Sequence, residues 1–289
     1  MVSPSEEICT PDQIPAGAIA ISPNELRQRL REIIAYGKRT GIIIPVFIFG
    51  PPGVGKTDLI NDIGREINAE VHTFIASTMD PTEIRGIPYP IQDSNYESGG
   101  YAEWYPQRAW LSPKGAEHQY QIYFFDELNL ATKATQAAFY RLILEGRLDT
   151  IDISRDARIA AGNEKSQVRE VQEMNLALTT RFEIYYVRPD AKSWLEWAKS
   201  HDIEEPVVQY IEEHPTQIYC VNQQNPNLAK ANPRGWARVS QLLRIGLMSK
   251  EDITGSVGRD PANKFLAFLA NKPERKVPNF GLEKFGGVE

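Results

Sequence analysis

Residues 50–57 read Gly50-Pro51-Pro52-Gly53-Val54-Gly55-Lys56-Thr57 and follow directly on the apolar run of residues 42–49. The octet fills every fixed position of the pattern GxxxxGK[ST]. Glycines let such a backbone curl until its N–H groups face phosphate oxygens at the positive end of a helix. The pattern works only where a strand enters and a helix leaves, so it constrains the fold around it. Residues 45–49 are short, apolar and β-rich, as a strand buried on both faces is. Leu59, Ile60, Ile63 and Ile67 then recur at helical spacing until the chain turns near Asn68. A glycine-rich turn between two core elements would explain the glycines but not a Lys-Thr pair at the start of the helix. The octet predicts a nucleoside triphosphate as ligand, with Lys56 on the outer phosphates and Thr57 on Mg²⁺.

A chain of 289 residues exceeds the usual size of one core, which predicts a large α/β domain with a smaller partner. Ser22-Pro23-Asn24-Glu25 offers a capping box, and Leu26, Leu30, Ile33 and Ile34 continue as one apolar face ending near residues 37–41. After the first strand and its helix, further strands are expected at residues 71–76, 121–125, 158–162 and 182–187. Helical patterns separate most of them, notably residues 132–145. The fold class read from this order is α/β: an αβα sandwich around a five-stranded, mainly parallel sheet. Beyond residue 190 the pattern becomes helical without strands, at residues 193–200, 204–213, 234–248 and 260–270, with Asp260 as N-cap of the last. The expected organisation is a lead-in at 1–21, a nucleotide-binding αβα core at 22–190, a small all-helical domain at 191–271 and a tail at 272–289.

Phe124-Phe125-Asp126-Glu127 delivers two acids at the carboxyl end of a strand, the edge where open parallel sheets bind ligands. Asp126 suits a Mg²⁺ shell, and Glu127 suits alignment or deprotonation of an attacking water. Asn163, at the end of the next strand, stands beside the same edge. It fits a γ-phosphate or water contact, and an Asn after Gly is equally an ordinary turn. Cys9 and Cys220 have no metal-ligand spacing, and both are expected as reduced thiols. No apolar run approaches the roughly 20 residues of a membrane span, and residues 1–7 lack the basic and apolar parts of a signal peptide; a cytoplasmic protein is expected. The net charge of −6 argues against a surface built to coat nucleic acid.

Together the phosphate loop, the Phe-Phe-Asp-Glu segment, Asn163, Thr180-Arg181-Phe182 and Pro233-Arg234-Gly235-Trp236 resemble an AAA+ ATPase. Residues 80–88, 136–142 and 144–148 resemble the MoxR branch, related to the dynein-like ATPases. The resemblance covers residues 42–247. It implies that Asn163 is sensor 1, Arg181 an arginine finger acting on a neighbour's nucleotide, and Arg234 a lid residue, sensor 2. It also implies a ring, most often hexameric, and a chaperone-like remodeller of a protein client working with a von Willebrand factor A domain partner. Glu164 stands where many relatives have proline. A nucleic-acid motor of helicase or restriction type is the alternative, which basic pore loops would support; the candidate loops here are aromatic and acidic apart from Arg147, Arg155 and Arg158.

Residues 84–104 occupy the place of the family's insertion, with Tyr89, Tyr96, Tyr101, Trp104 and Tyr105 spread through a turn-rich segment. Two arrangements fit: a loop that grips a partner, and a hairpin whose aromatics pack on its own domain. A second hairpin is expected at residues 147–158, where Leu148, Ile151 and Ile153 alternate with polar residues. His72, His118, His201 and His214 form no spaced cluster and carry no assigned chemistry. Trp194 and Trp197, three residues apart, read as lid core.

Overall fold

The computed structural model describes residues 18–110, 120–163, 180–220 and 230–271. The lead-in through residue 17 with Cys9, together with His118, Glu164 and the tail at 272–289, lies outside the described residues. The described residues form two compact units, one of residues 18–52 and 56–187 and one of residues 53–55 and 188–271.

The first unit opens with β1 (Ala20–Ile21), which leads into α1 (Pro23–Thr40). The capping box forms as its residues dictate: the Glu25 N–H donates to Ser22 Oγ at 3.3 Å and the Ser22 N–H donates to Glu25 Oε2 at 2.7 Å. Next come β2 (Val46–Phe49), α2 (Lys56–Glu66) and β3 (Glu70–Ile75). Arg27 of α1 holds α2 through Asp62 at 2.8 Å and Glu66 at 2.5 Å. The short α3 (Pro81–Arg85) precedes a hairpin of β4 (Ile87–Gln92) and β5 (Gly100–Tyr105). Then follow β6 (Gln121–Asp126), α4 (Lys133–Glu145), a small hairpin of β7 (Arg147–Leu148) and β8 (Ile151–Asp152), β9 (Ala157–Gly162) and β10 (Glu183–Val187).

Six parallel strands run in the order β1-β10-β2-β9-β6-β3. The five expected strands are all present. The sixth, β1, corrects the five-stranded count and lies where a lead-in was expected; two residues are too few to show a period of 2. Phe47, Phe125, Phe139, Leu142 and Ala160 meet in a buried core. Leu148, Ile151 and Ile153 of the second hairpin drop into the same core. Gly146, at φ +71°, ends α4 there; a Cβ would collide with the Ser154 backbone, so only glycine fits.

The second unit contains α5 (Ala191–Ala198), α6 (Glu205–Glu213), α7 (Pro233–Arg244), α8 (Lys250–Val257) and α9 (Arg259–Ala270). Its core is aromatic: the Tyr210 ring lies 5.2 Å from Trp236 and 5.1 Å from Phe265, and the Trp236 indole N–H donates to the Gln217 carbonyl at 2.8 Å. Trp194 joins this core, and Trp197 packs partly against it. Two expectations change. Asp260 lies inside the first turn of α9, whose N-cap is Gly258, and α8 was not foreseen although Ser249 and Asp252 form a capping box for it. Cys220 is disulfide-bonded rather than a reduced thiol.

Phe139 is fully buried and meets the Phe125 ring edge-on at 5.2 Å. Phe139→Ala is expected to destabilise the first unit by about 3–5 kcal/mol, measured as a lower urea midpoint with an unchanged slope.

Candidate active site

The sheet register brings Lys56, Thr57, Asp126, Glu127 and Asn163 of the expected site residues to one edge. Phe49 stands opposite Gly162 and Ile75 opposite Asp126, so the loops after β2, β9, β6 and β3 emerge side by side. Lys56 and Thr57 begin α2 at this edge. The Lys56 ammonium donates to the Gly50 carbonyl at 2.7 Å and the Pro51 carbonyl at 3.3 Å, and it reaches Asn163 Oδ1 at 3.4 Å. The Thr57 hydroxyl donates to Asp126 Oδ2 at 2.9 Å. A hydroxyl and a carboxylate held this close form a donor pair that fits a hard, oxygen-seeking cation such as Mg²⁺.

Glu127 follows Asp126 in the left-handed region, at φ 56° and ψ 30°. That conformation costs a non-glycine residue about 1–2 kcal/mol. It is held by the Glu127 N–H donating to Asp126 Oδ1 at 2.9 Å and by a single 3₁₀ turn, Leu128–Leu130, which follows at once. The Glu127 carboxylate accepts a hydrogen bond from Ser77 Oγ, just beyond β3. Asn163 is fixed from its backbone side. Its N–H donates to Asn129 Oδ1 at 3.1 Å, and its carbonyl accepts from Asn129 Nδ2 at 2.6 Å.

Ser77 and Asn129 are the residues that sequence reasoning missed. Each lies a few positions from a recognised motif, but only the adjacency of β3, β6 and β9 turns that proximity into contact.

Arg181 does not join this cluster. It is exposed in the turn ahead of β10, and Glu183 pairs with Val46 at the opposite, amino end of the sheet. With strands rising about 3.3 Å per residue, the three residues from Glu183 to Tyr186 alone put about 10 Å between Arg181 and the edge holding Lys56. In the second unit, Gly53 adopts φ +79°, and a Cβ there would stand 2.6 Å from Asn232 Oδ1. The Arg234 N–H donates to the Gly53 carbonyl at 3.2 Å, while the Arg234 side chain is exposed at the start of α7. Pro52 precedes this contact, and Val54 and Gly55, the latter at φ +93°, complete the loop.

The insertion splits its aromatics between two faces. Ile87 pairs with Tyr105, Tyr89 with Glu103 and Ile91 with Tyr101, so these side chains share one face of the β4–β5 hairpin. Ile87, Tyr89, Tyr101 and Tyr105 on it are exposed. Trp104 points the other way and is half-buried under the Arg85 guanidinium, 4.2 Å from its ring centroid. Arg85 also pairs with Asp149 at 3.1 Å, and Thr150 Oγ1 donates to the Trp104 carbonyl at 3.3 Å. The two hairpins are thereby tied together while the tyrosine face stays open.

Residues 45–182 match the model of the AAA domain of the dynein-related subfamily. The matched stretch includes the phosphate-loop octet at residues 50–57 and the acid pair Asp126-Glu127 just described. A 75-residue stretch is 39% identical to "ATPase family gene 2 protein homolog B" of Bos taurus, covering 24% of this chain and 10% of that protein. The Homo sapiens protein of the same name is 34% identical over 73 residues, again 24% and 10%. The chain thus spans about a tenth of the length of these curated relatives. Among solved structures, the Thermotoga maritima RuvB Holliday junction branch migration motor aligns over 86% of this chain and 70% of its own, at 17% identity and a TM-score of 0.47. No helix among the described residues of this chain is long and apolar enough to cross a membrane.

Lys56→Ala removes the ammonium that anchors on the Gly50 and Pro51 carbonyls of the loop. Loss of a charge-assisted contact is expected to weaken nucleotide binding by roughly 10- to 150-fold, or about 1.5–3 kcal/mol. Titration with a fluorescent ADP analogue checks this, and an unchanged Kd would contradict the assignment.

Proposed function

We propose that the chain hydrolyses ATP at junctions between the subunits of a ring, using each cycle to remodel a protein client. The observation that carries this reading is the split of the charged groups. Lys56, Thr57, Asp126, Glu127 and Asn163 gather at the carboxyl edge of the sheet, while exposed Arg181 stands beyond its amino edge. An arginine held away from its own subunit's phosphates supports a role on a neighbour's.

Each residue then has a role. Loop amides and Lys56 bind the outer phosphates, and Thr57 and Asp126 hold Mg²⁺, which when bound neutralises phosphate charge. Glu127 orients and deprotonates the attacking water, with its carboxylate steered from Ser77. Asn163, beside Lys56, faces the γ-phosphate. Arg181 of the adjacent subunit stabilises charge developing on the transferred phosphoryl group, and Arg234 takes the lid role that its motif implies. Supply of a cation in trans makes turnover depend on assembly.

The finer reading is a MoxR-like, chaperone-type ATPase, hexameric, with a von Willebrand factor A domain partner. It rests on the segments at residues 80–88, 136–142 and 144–148. The open tyrosine face of the β4–β5 hairpin supports a protein client, since exposed aromatics on a presented element suit protein contact better than phosphate contact.

Arg181→Ala is expected to lower turnover by roughly 10³-fold while changing nucleotide Kd by less than about threefold; normal ATPase activity in this variant sinks the in-trans assignment. Replacing Tyr89 and Tyr101 by serine should leave basal ATPase activity intact and abolish capture of a client on the ATP-trapped Glu127→Gln protein. ATP-dependent, salt-sensitive retention of DNA or RNA on a filter would instead favour a nucleic-acid motor.

A further inference from the structure

We infer that Asn129 is a positioning residue for hydrolysis, setting Asn163 and Glu127 in register with each other. Its side chain is buried, at 1% exposure, and spends both ends of its amide on one backbone unit. Oδ1 accepts from the Asn163 N–H at 3.1 Å and Nδ2 donates to the Asn163 carbonyl at 2.6 Å. No hydroxyl or carboxylate reproduces this pairing, because it needs a donor and an acceptor side by side on one planar group. The neighbour is shaped to admit it: a Cβ on Gly162 would collide with the Asn129 amide.

Asn129 also sits in the 3₁₀ turn Leu128–Leu130, whose first carbonyl belongs to left-handed Glu127 and accepts from the Leu130 N–H at 2.9 Å. The end of β9 and the turn after β6 are therefore one rigid body. The Asn163 amide that reaches Lys56 and the Glu127 carboxylate hang from its two sides. Asn129 itself acts only through these two groups. A buried amide with both ends paired is also an ordinary way to satisfy a loop, so the test must separate positioning from stability.

The proposal rests on the hydrolytic reading of the site. Three variants are compared: Asn129→Ala, which loses both bonds; Asn129→Asp, which keeps the shape and the acceptor but loses the donor; and Asn163→Ala. Positioning predicts that both Asn129 variants lower kcat by roughly 10- to 100-fold, with nucleotide Kd within about threefold of wild type. The Asn129→Asp loss should be smaller in the Asn163→Ala background, because the share that acts through the Asn163 amide is already gone and only the share through Glu127 remains. Amide hydrogen exchange at Asn163 in Asn129→Ala should rise at least about tenfold while protection within β6 and β9 is kept. Additive losses in the double variant, a kcat unchanged per folded molecule, or unaltered exchange at Asn163 each overturn the proposal. Wild-type turnover that is absent, or indifferent to Glu127→Gln, overturns the hydrolytic reading instead, and the exchange measurement still reads the clamp.

Discussion

The pairing of β9 between β2 and β6 is the constraint on which the site depends. Because β9 stands between them, Gly50 at the end of β2 and Asp126 at the end of β6 are one strand apart, and Asn163 falls in the gap. Parallel pairing makes this possible, since all carboxyl ends then share one edge. The price of that geometry is burial on both faces. β2 and β9 are accordingly almost continuously apolar, Val46-Phe47-Ile48-Phe49 and Ala157-Arg158-Ile159-Ala160-Ala161-Gly162, with a single buried arginine. Ala160 shares one buried core with Phe47, Phe125 and Phe139, so β9 serves both the core and the site edge.

The edge then carries a chain of polar contacts rather than isolated groups. Thr57 meets Asp126, Asp126 meets the Glu127 backbone, Glu127 meets Ser77, and Asn129 joins the Glu127 turn to Asn163, which reaches Lys56. Each contact is short-range, but together they hold a residue in the left-handed region at the point where catalysis is assigned. Strain of this kind persists only where neighbours over-determine the conformation. The tie between the hairpins through Arg85, Trp104 and Asp149 extends that rigidity to the surface proposed for the client.

Much of this was legible in the sequence because it is local. The strand and helix flanking residues 50–57, the strand ending at Asp126 and the capping box at Ser22 are local patterns, and each of these elements formed as read. The second hairpin was legible from alternation at Leu148, Ile151 and Ile153. Ser77 and Asn129 were not, because their partners lie 50 and 34 residues away and only strand order brings them together. β1 escaped as a two-residue strand with no periodicity to detect, and α8 because its apolar stripe is weak. Asp260 misled because an Asp-Pro pair is equally at home in a first helical turn and at a cap. Cys220 misled because spacing alone does not announce whether a thiol is paired.

The central claim is that a complete site takes Glu127 from one subunit and Arg181 from the next. Mixing Glu127→Gln protein with Arg181→Ala protein tests it most directly. In the proposed ring, co-assembly creates junctions in which an intact Glu127 faces an intact Arg181. Shared sites predict ATPase activity in the mixture that neither variant has alone, rising and then falling as the ratio is varied. A mixture no more active than the sum of its two components contradicts the account.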